Sequence, residues 1–170
     1  LTAIERRGYL GLGSNLGDRP AHLRAAIAEL RRAGVLVDAV SSLYETAPVG
    51  EYEQSQPDFL NAVVAIRTDL EPERLLDLCK RIERERGRLA GGPRHGPRPL
   101  DVDILLLGEI TVGLPRLTIP HAAITERRFV LEPLLELDPA ALLPDGTELA
   151  DVLAGLEAER VERVGRLGAA

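Results

Sequence analysis

The sequence predicts a ferredoxin-like α+β two-layer sandwich, a mostly antiparallel sheet with helices on both sides and long active-site loops. Three observations carry that expectation. Segments of strand and helix character follow one another as strand, helix, strand, strand, helix, strand. The helical segments carry a single apolar stripe, whereas the strand segments are apolar on at least one face. The connection at residues 46–58 is too long for an ordinary hairpin and is a candidate ligand lid. The first two helices are expected to cover one face of the sheet and leave the other open.

At 170 residues with 45% apolar content, the chain is expected to form one catalytic domain over residues 1–170. Residues 1–7 read as an N-terminal extension and 157–170 as a tail. Residues 8–13 form a short apolar strand that runs into Ser14-Asn15-Leu16-Gly17-Asp18, a turn before a helix. Asp18 suits its cap and Pro20 its first turn, and Leu23, Ile27 and Leu30 recur at i, i+4 and i+7 up to Gly34. Residues 35–44 and 59–67 read as strands. Pro72 opens a second helix, closed by Gly87, whose Leu75, Leu76, Cys79 and Ile82 face the core. Cys79 is therefore expected to be a buried, inert thiol. After the 88–99 loop come a strand from Asp101, a hairpin near residues 108–112, and helices near 126–137 and 149–156.

The chemistry is expected at Gly96-Pro97-Arg98-Pro99-Leu100-Asp101-Val102-Asp103-Ile104. Side chains alternate along a strand at about 3.3 Å per residue, so Asp101 and Asp103 share a face roughly 6.6 Å apart. Two such carboxylates are either solvated where a strand leaves a polar loop or held for a cation. The flanking prolines and the apolar run after Asp103 favour the second reading, with Mg²⁺ and phosphates as the partners that two hard oxygen ligands suit. On the strand from Phe59, that residue shares a face with Asn61 and Val63; a flat heterocycle could stack on Phe59 and be read by the amide of Asn61. A core Phe beside a strand-end Asn is the plainer reading. Gly11 and Gly13 tempt a dinucleotide assignment, but the third glycine is Gly17, so the G-x-G-x-x-G spacing fails. They are read as the approach to a structural turn and helix cap rather than as a phosphate cradle.

The ordered blocks Gly13-Ser14-Asn15-Leu16-Gly17, Ser42-Leu43-Tyr44-Glu45-Thr46, Gln56-Pro57-Asp58-Phe59-Leu60-Asn61, Gly96-Pro97-Arg98-Pro99-Leu100-Asp101-Val102-Asp103 and Pro120-His121 resemble the 6-hydroxymethyl-7,8-dihydropterin pyrophosphokinase family of folate biosynthesis, across roughly residues 8–156. The resemblance implies transfer of pyrophosphate from ATP to the hydroxymethyl group of the pterin, leaving AMP. It further implies two Mg²⁺ ions on Asp101 and Asp103, a pterin sandwiched by Phe59 and Phe129, and its edge read by Asn61 with groups around Thr46 and Val49. Arg88, Arg94, Arg98, His121 and Arg127 match positions that embrace the triphosphate, with Arg88 and Arg98 also catalytic, and Glu83 and Ile104 match further nucleotide-site positions. The chain departs from the family pattern at His95, Ala90 and Ala122; Ala90, with Gly91 and Gly92 after it, is expected to make the arginine loop less basic and more mobile.

A net charge of −6 argues against broad binding to nucleic acid. No run of 18 apolar residues and no signal-peptide pattern is present, so a cytoplasmic protein without membrane partners, and a monomer, is expected. The competing reading is a small-molecule-binding or RNA-binding module of the same fold without catalysis. Acidic balance and a total of two Phe and three Tyr disfavour its RNA form.

Overall fold

In a computed structural model of the chain, which describes residues 3–48, 56–87 and 98–168, the main sheet is antiparallel at every pairing. The elements run β1 (Arg6–Ser14), α1 (Arg19–Arg32), β2 (Leu36–Val40), β3 (Leu43–Thr46), β4 (Phe59–Thr68), α2 (Pro72–Glu85), β5 (Asp101–Leu107), β6 (Val112–Leu114), β7 (Leu117–Ile119), α3 (Arg128–Leu137), α4 (Leu149–Gly155) and β8 (Val161–Gly165). The spatial order is β5-β1-β4-β3-β8, with β2 also on β4 and β6-β7 a separate hairpin.

Strand alternation divides the sheet into two faces. On one, Leu10 and Leu12 of β1, Leu60, Ala62, Val64 and Ile66 of β4, and Val102 and Ile104 of β5 pack against the buried stripes of α1 (Leu23, Ala26, Ile27, Leu30) and α2 (Leu75, Leu76, Leu78, Cys79, Ile82). Each such leucine withdrawn from water contributes about 1.5–3 kcal/mol, so this layer supplies much of the stability and sets the sheet rigidly. Asp18 caps α1, its carboxylate accepting from Ala21 N at 3.1 Å, as its position before Pro20 suggests.

The opposite face is only partly open. Val63, Leu105 and Leu106 receive Val130, Leu131 and Leu134 of α3 and Leu149 of α4, so helices lie on both sides of the sheet as expected, and only part of the face opposite α1 and α2 is left open. The helices claim one half of that face and leave the end near the starts of β4 and β5.

Several boundaries differ from the sequence expectation. The strand expected over residues 35–44 breaks into β2 and β3 at Ser41-Ser42, because the Ser41 hydroxyl accepts from Val63 N (2.9 Å) while Ser41 N donates to Val63 O (2.9 Å). A side chain thus takes a place in the ladder and shifts its register. Arg6 and Arg7, assigned to an extension, pair with Thr68 and Arg67 in β1. The tail contains β8, an edge strand on β3. The hairpin lies at Val112–Leu114 and Leu117–Ile119, with Gly108 (φ +54) turning the chain before it. Among the described residues no helix is long and apolar enough to cross a membrane.

Candidate active site

The open end of the second face is a cleft lined by Gly11, Gly13, Thr46, Phe59, Asn61, Arg98, Asp101, Asp103, Arg127 and Phe129, among others. It is built from cross-strand rows. In register, Asp101 faces Gly13, Gly13 faces Asn61, and Asn61 faces Tyr44; one step along, Asp103 faces Gly11 and Gly11 faces Val63. Paired residues point to the same face, so two side-chain-free positions lie between the carboxylates of β5 and the amide and ring of β4. The missing side chains of Gly11 and Gly13 are the floor of the cleft. Both glycines lie within β1, as expected of the strand read over residues 8–13.

The apolar and amide side of the cleft is fixed by short contacts. Asn61 Nδ2 donates to Thr46 Oγ1 at 2.7 Å, and both residues are buried. Phe59 pairs with Thr46 across β4 and β3. Phe129 enters from the first turn of α3, and the guanidinium of Arg127 stands 5.6 Å from its ring centroid, within cation–π range.

The acidic side holds three carboxylates. Asp101 and Asp103 begin β5 with side chains 21% and 35% exposed, and Glu83 of α2, 1% exposed, reaches them from below the sheet edge. Glu83 accepts from Val102 N at 2.8 Å, is hydrogen-bonded to the carboxyl of Asp101, and pairs with Lys80 Nζ at 3.2 Å. Burial pushes the Asp103 carboxyl up to about 7, with the like charges of Asp101 and Glu83 adding to the effect. Burial and Asp101 also raise Glu83. Arg98 Nη1 pairs with Asp101 Oδ2 at 3.2 Å and partly offsets this repulsion.

His121 Nδ1 accepts from Ala123 N at 3.1 Å, which leaves the ring proton on Nε2, 3.9 Å from Asp103. Burial, then Arg127, hold its pKa below the usual imidazole value, so His121 is a neutral donor aimed at the carboxylates.

Asn15 joins the two loops that border the cleft. Its Nδ2 donates to Gln56 Oε1 (2.8 Å) and Pro57 O (3.1 Å), its Oδ1 accepts from Arg98 N (2.7 Å), and its own N donates to Arg98 O (3.1 Å). The side chain is buried with its amide fully engaged, which ties the end of each loop to the turn after β1. Sequence reasoning gave Asn15 no role, although a side-chain amide in a glycine-flanked turn is the available signal.

Of the residues singled out in the sequence, Thr46, Phe59, Asn61, Arg98, Asp101, Asp103, Arg127 and Phe129 line one cleft, and His121 and Glu83 stand beside the carboxylates. The Ile104 side chain instead faces the helix-covered core, so any ligand contact it makes is through its main chain. Val49, Arg88 and Arg94 lie outside the described residues, as do His95 and Ala90. His22, read as an exposed helix residue, is half-buried, and its Nδ1 accepts from Arg86 Nε at 3.1 Å.

The family model for 7,8-dihydro-6-hydroxymethylpterin-pyrophosphokinase (HPPK) matches residues 9–139. The chain belongs to the HPPK family. It is 44% identical over 160 residues to the 2-amino-4-hydroxy-6-hydroxymethyldihydropteridine pyrophosphokinase of Pseudomonas aeruginosa, covering 94% of this chain and 97% of that protein. It is 48% identical over 130 residues to the Bacillus subtilis protein of the same name, covering 76% of each. A mitochondrial folate synthesis bifunctional protein of Arabidopsis thaliana is 47% identical over 135 residues, which are 79% of this chain but 24% of that relative. Among solved structures, the wild-type HPPK-DHPS of Plasmodium falciparum with pteroate superposes with a TM-score of 0.69 at 16% identity, over 91% of this chain and 43% of that one, a likeness of fold. The HPPK match runs from within β1 to beyond the end of α3 and so contains every cleft-lining residue named above.

Proposed function

We infer that this chain transfers the pyrophosphate group of ATP to the hydroxymethyl group of 6-hydroxymethyl-7,8-dihydropterin, releasing AMP and the pterin diphosphate. The observation that carries the reading is that a carboxylate pair and a pair of aromatic rings line the same cleft, on a floor of glycines. The pterin oxygen attacks the β-phosphorus of ATP, the bond from that phosphorus to the oxygen bridging the α-phosphate breaks, and AMP leaves. The hydroxyl proton passes to solvent. Charge spreads over phosphate oxygens, so positioning and electrostatic stabilisation supply most of the catalysis.

In this reading Phe59 and Phe129 sandwich the pterin, and Asn61, held by Thr46, reads its edge together with main-chain groups that include Val49. Arg98 leaves Asp101 for phosphate, and Arg127, His121, Arg88 and Arg94 complete the embrace of the anionic triphosphate; planar guanidinium forks suit bidentate phosphate contacts. Glu83 buttresses Asp101 from below. The two loops tied by Asn15 exclude water from the reacting phosphates.

The residues fit a divalent cation. Three carboxylates crowd one site and Asp103 is raised to about 7 by burial and its neighbours, while no three of the described residues are so arranged that they could hold a metal ion among themselves. A cation held by Asp101 and Asp103 must therefore take its other ligands from phosphate and water, as Mg²⁺ prefers. When bound, two Mg²⁺ ions would neutralise phosphate charge and favour ionisation of the attacking hydroxyl. The reading includes a monomer acting on these two small substrates, with no nucleic acid.

Incubation with ATP, Mg²⁺ and the hydroxymethyl pterin is expected to give AMP and pterin diphosphate on chromatography, with neither formed when the pterin is left out or EDTA is added. ADP as product, or no turnover by folded protein, overturns the reading.

Proton and cation compete for the same carboxylates. Because the Asp103 value is raised to about 7, affinity for Mg²⁺-ATP is expected to fall as pH drops through 7, by about tenfold per pH unit once the proton wins. Calorimetric titration from pH 8 to pH 5.5 reads this directly, and a flat profile removes Asp103 from the cation site.

A further inference from the structure

The last turn of α3 and the C-terminal strand β8 meet in a partly buried polar cluster that the cleft chemistry does not use. Glu136 Oε2 accepts from Ser42 N at 2.7 Å, and Glu136 Oε1 accepts from Tyr44 Oη at 2.7 Å and pairs with Arg163 Nη2 at 3.1 Å. Arg163 Nε donates to Ser42 Oγ at 2.8 Å, closing a ring of contacts among α3, β3 and β8.

We propose that Glu136, clamped by Ser42, Tyr44 and Arg163, is the positioning residue that sets the separation of the two aromatic walls of the pterin slot, and that β8 belongs to the support of that slot. The identity of the ligand rests on the functional reading above.

Helix geometry makes the connection. Phe129 and Glu136 are seven residues apart, two turns or about 10.5 Å, and so lie on nearly the same side of α3. One end of that side presents a ring to the cleft, and the other end is fastened to β3. The fastening point is in the row that matters: Tyr44 pairs with Asn61 on one side and with Arg163 on the other, and the next inward-facing pair is Thr46 with Phe59. Glu136 therefore joins the helix that carries one ring directly to the strand pair that carries the other ring and the pterin-reading amide.

Among the described residues the slot end of α3 has no comparable tie to the sheet. Arg127 at its N-cap is extended and no side chain caps the helix. Packing of Val130, Leu131 and Leu134 sets the depth of the helix on the sheet, but apolar contacts resist sliding weakly compared with directional bonds. A carboxylate in the last turn also faces the negative end of the helix dipole and is only 16% exposed, so its place depends on the partners that surround it. Burial opposes its charge, yet bonds from Ser42 and Tyr44 and the Arg163 guanidinium outweigh that effect and hold its pKa low. At the same edge Arg160, the residue just before β8, pairs with Asp58 at 2.9 Å and so braces the residue before Phe59.

The test measures pterin affinity by fluorescence titration in the presence of Mg²⁺ and a non-hydrolysable ATP analogue, beside affinity for the analogue alone, in wild type, Glu136→Gln, Arg163→Ala and Arg163→Lys. The Arg163 side chain is 54% exposed, so its variants keep the fold, and melting temperatures verify this. Glu136→Gln and Arg163→Ala are expected to weaken pterin binding about tenfold with analogue affinity within about twofold of wild type, and Arg163→Lys to recover part of the loss. Unchanged pterin affinity in both variants, or parallel weakening of both ligands, overturns the proposal. A wild type that binds the analogue but no pterin overturns the functional reading itself.

Discussion

Alanine at Asp101 or at Asp103 lowers kcat/KM for AMP formation by at least about 10³-fold, a loss in the range expected when the charge stabilisation of a phosphoryl-type transfer is removed. The two positions differ in what else they touch, which makes the pair more informative than either alone. Asp101 is bonded to Arg98 and to Glu83, so its removal also frees an arginine and changes the environment of a buried acid. Asp103 has no such bond among the contacts described above; the neutral His121 ring stands 3.9 Å from it.

Stability is expected to move the other way at Asp103. Its folded-state value of about 7 lies above the ordinary 3.8, so the proton is bound more tightly in the native state than in the unfolded chain. Whatever stability this group gives is fully present below pH 4 and is lost as pH rises through 7. At pH 8 the ionised side chain is therefore a net burden on the ligand-free fold, partly relieved by solvent because a third of it is exposed. Asp103→Asn is expected to raise the ligand-free melting temperature at pH 8 by about 2–4 °C and to abolish the further rise that Mg²⁺ with an ATP analogue gives the wild type. Thermal melts with and without that mixture check both halves. A variant that melts lower without ligand, or that is still stabilised by the metal nucleotide, would show that Asp103 serves the fold rather than the cation.

The carboxylate pair was legible in the sequence because alternation along a strand is a strictly local rule, and the Asp101 to Leu107 stretch is too apolar to be anything but a buried strand. The same rule placed Phe59 and Asn61 together. Legibility stopped where partners are distant in the chain. Ser41 and Ser42 divide one apolar run into two strands through a bond to Val63, and nothing within residues 35–44 announces that partner. Residues 157–170 have little apolar patterning, yet β8 forms because β3 offers an unpaired edge and Glu136 offers Arg163 a counter-charge. The free half of the second face was overestimated for a related reason: the sequence shows that α3 is amphipathic but not which face of the sheet it covers. The role of Gly11 and Gly13 was hidden more deeply, since a glycine signals what is absent, and the use of that absence depends on the neighbours that three strands bring to it.

That last point gives the second large effect, at Gly13. A Cβ there would lie 3.0 Å from Asn61 Oδ1 and 3.6 Å from Phe59 Cδ1. The first distance is too short to accept unchanged, and Asn61 cannot retreat freely because its Nδ2 is held by Thr46 Oγ1 at 2.7 Å. The methyl group would also occupy the floor between the pterin-reading amide and Asp101, which Gly13 joins in register. Gly13→Ala is therefore expected to weaken the pterin interaction about 100-fold, the scale on which a displacement near 1 Å in a reacting geometry is felt. Folding should change little, since alanine recovers part of the chain entropy that glycine costs in a strand. Gly11 supplies the control: the nearest atoms to a Cβ there are Leu105 side-chain carbons, the first at 3.5 Å, an ordinary contact. Gly11→Ala should accordingly lose much less pterin affinity than Gly13→Ala at comparable thermal stability. Steady-state KM for pterin and ATP in the two variants decides the matter, because only a floor specific to Gly13 makes the pterin KM rise steeply in one of them while the ATP KM stays near wild type. Equal losses in both would mean that the glycines serve strand packing, and that the pterin lies elsewhere in the cleft.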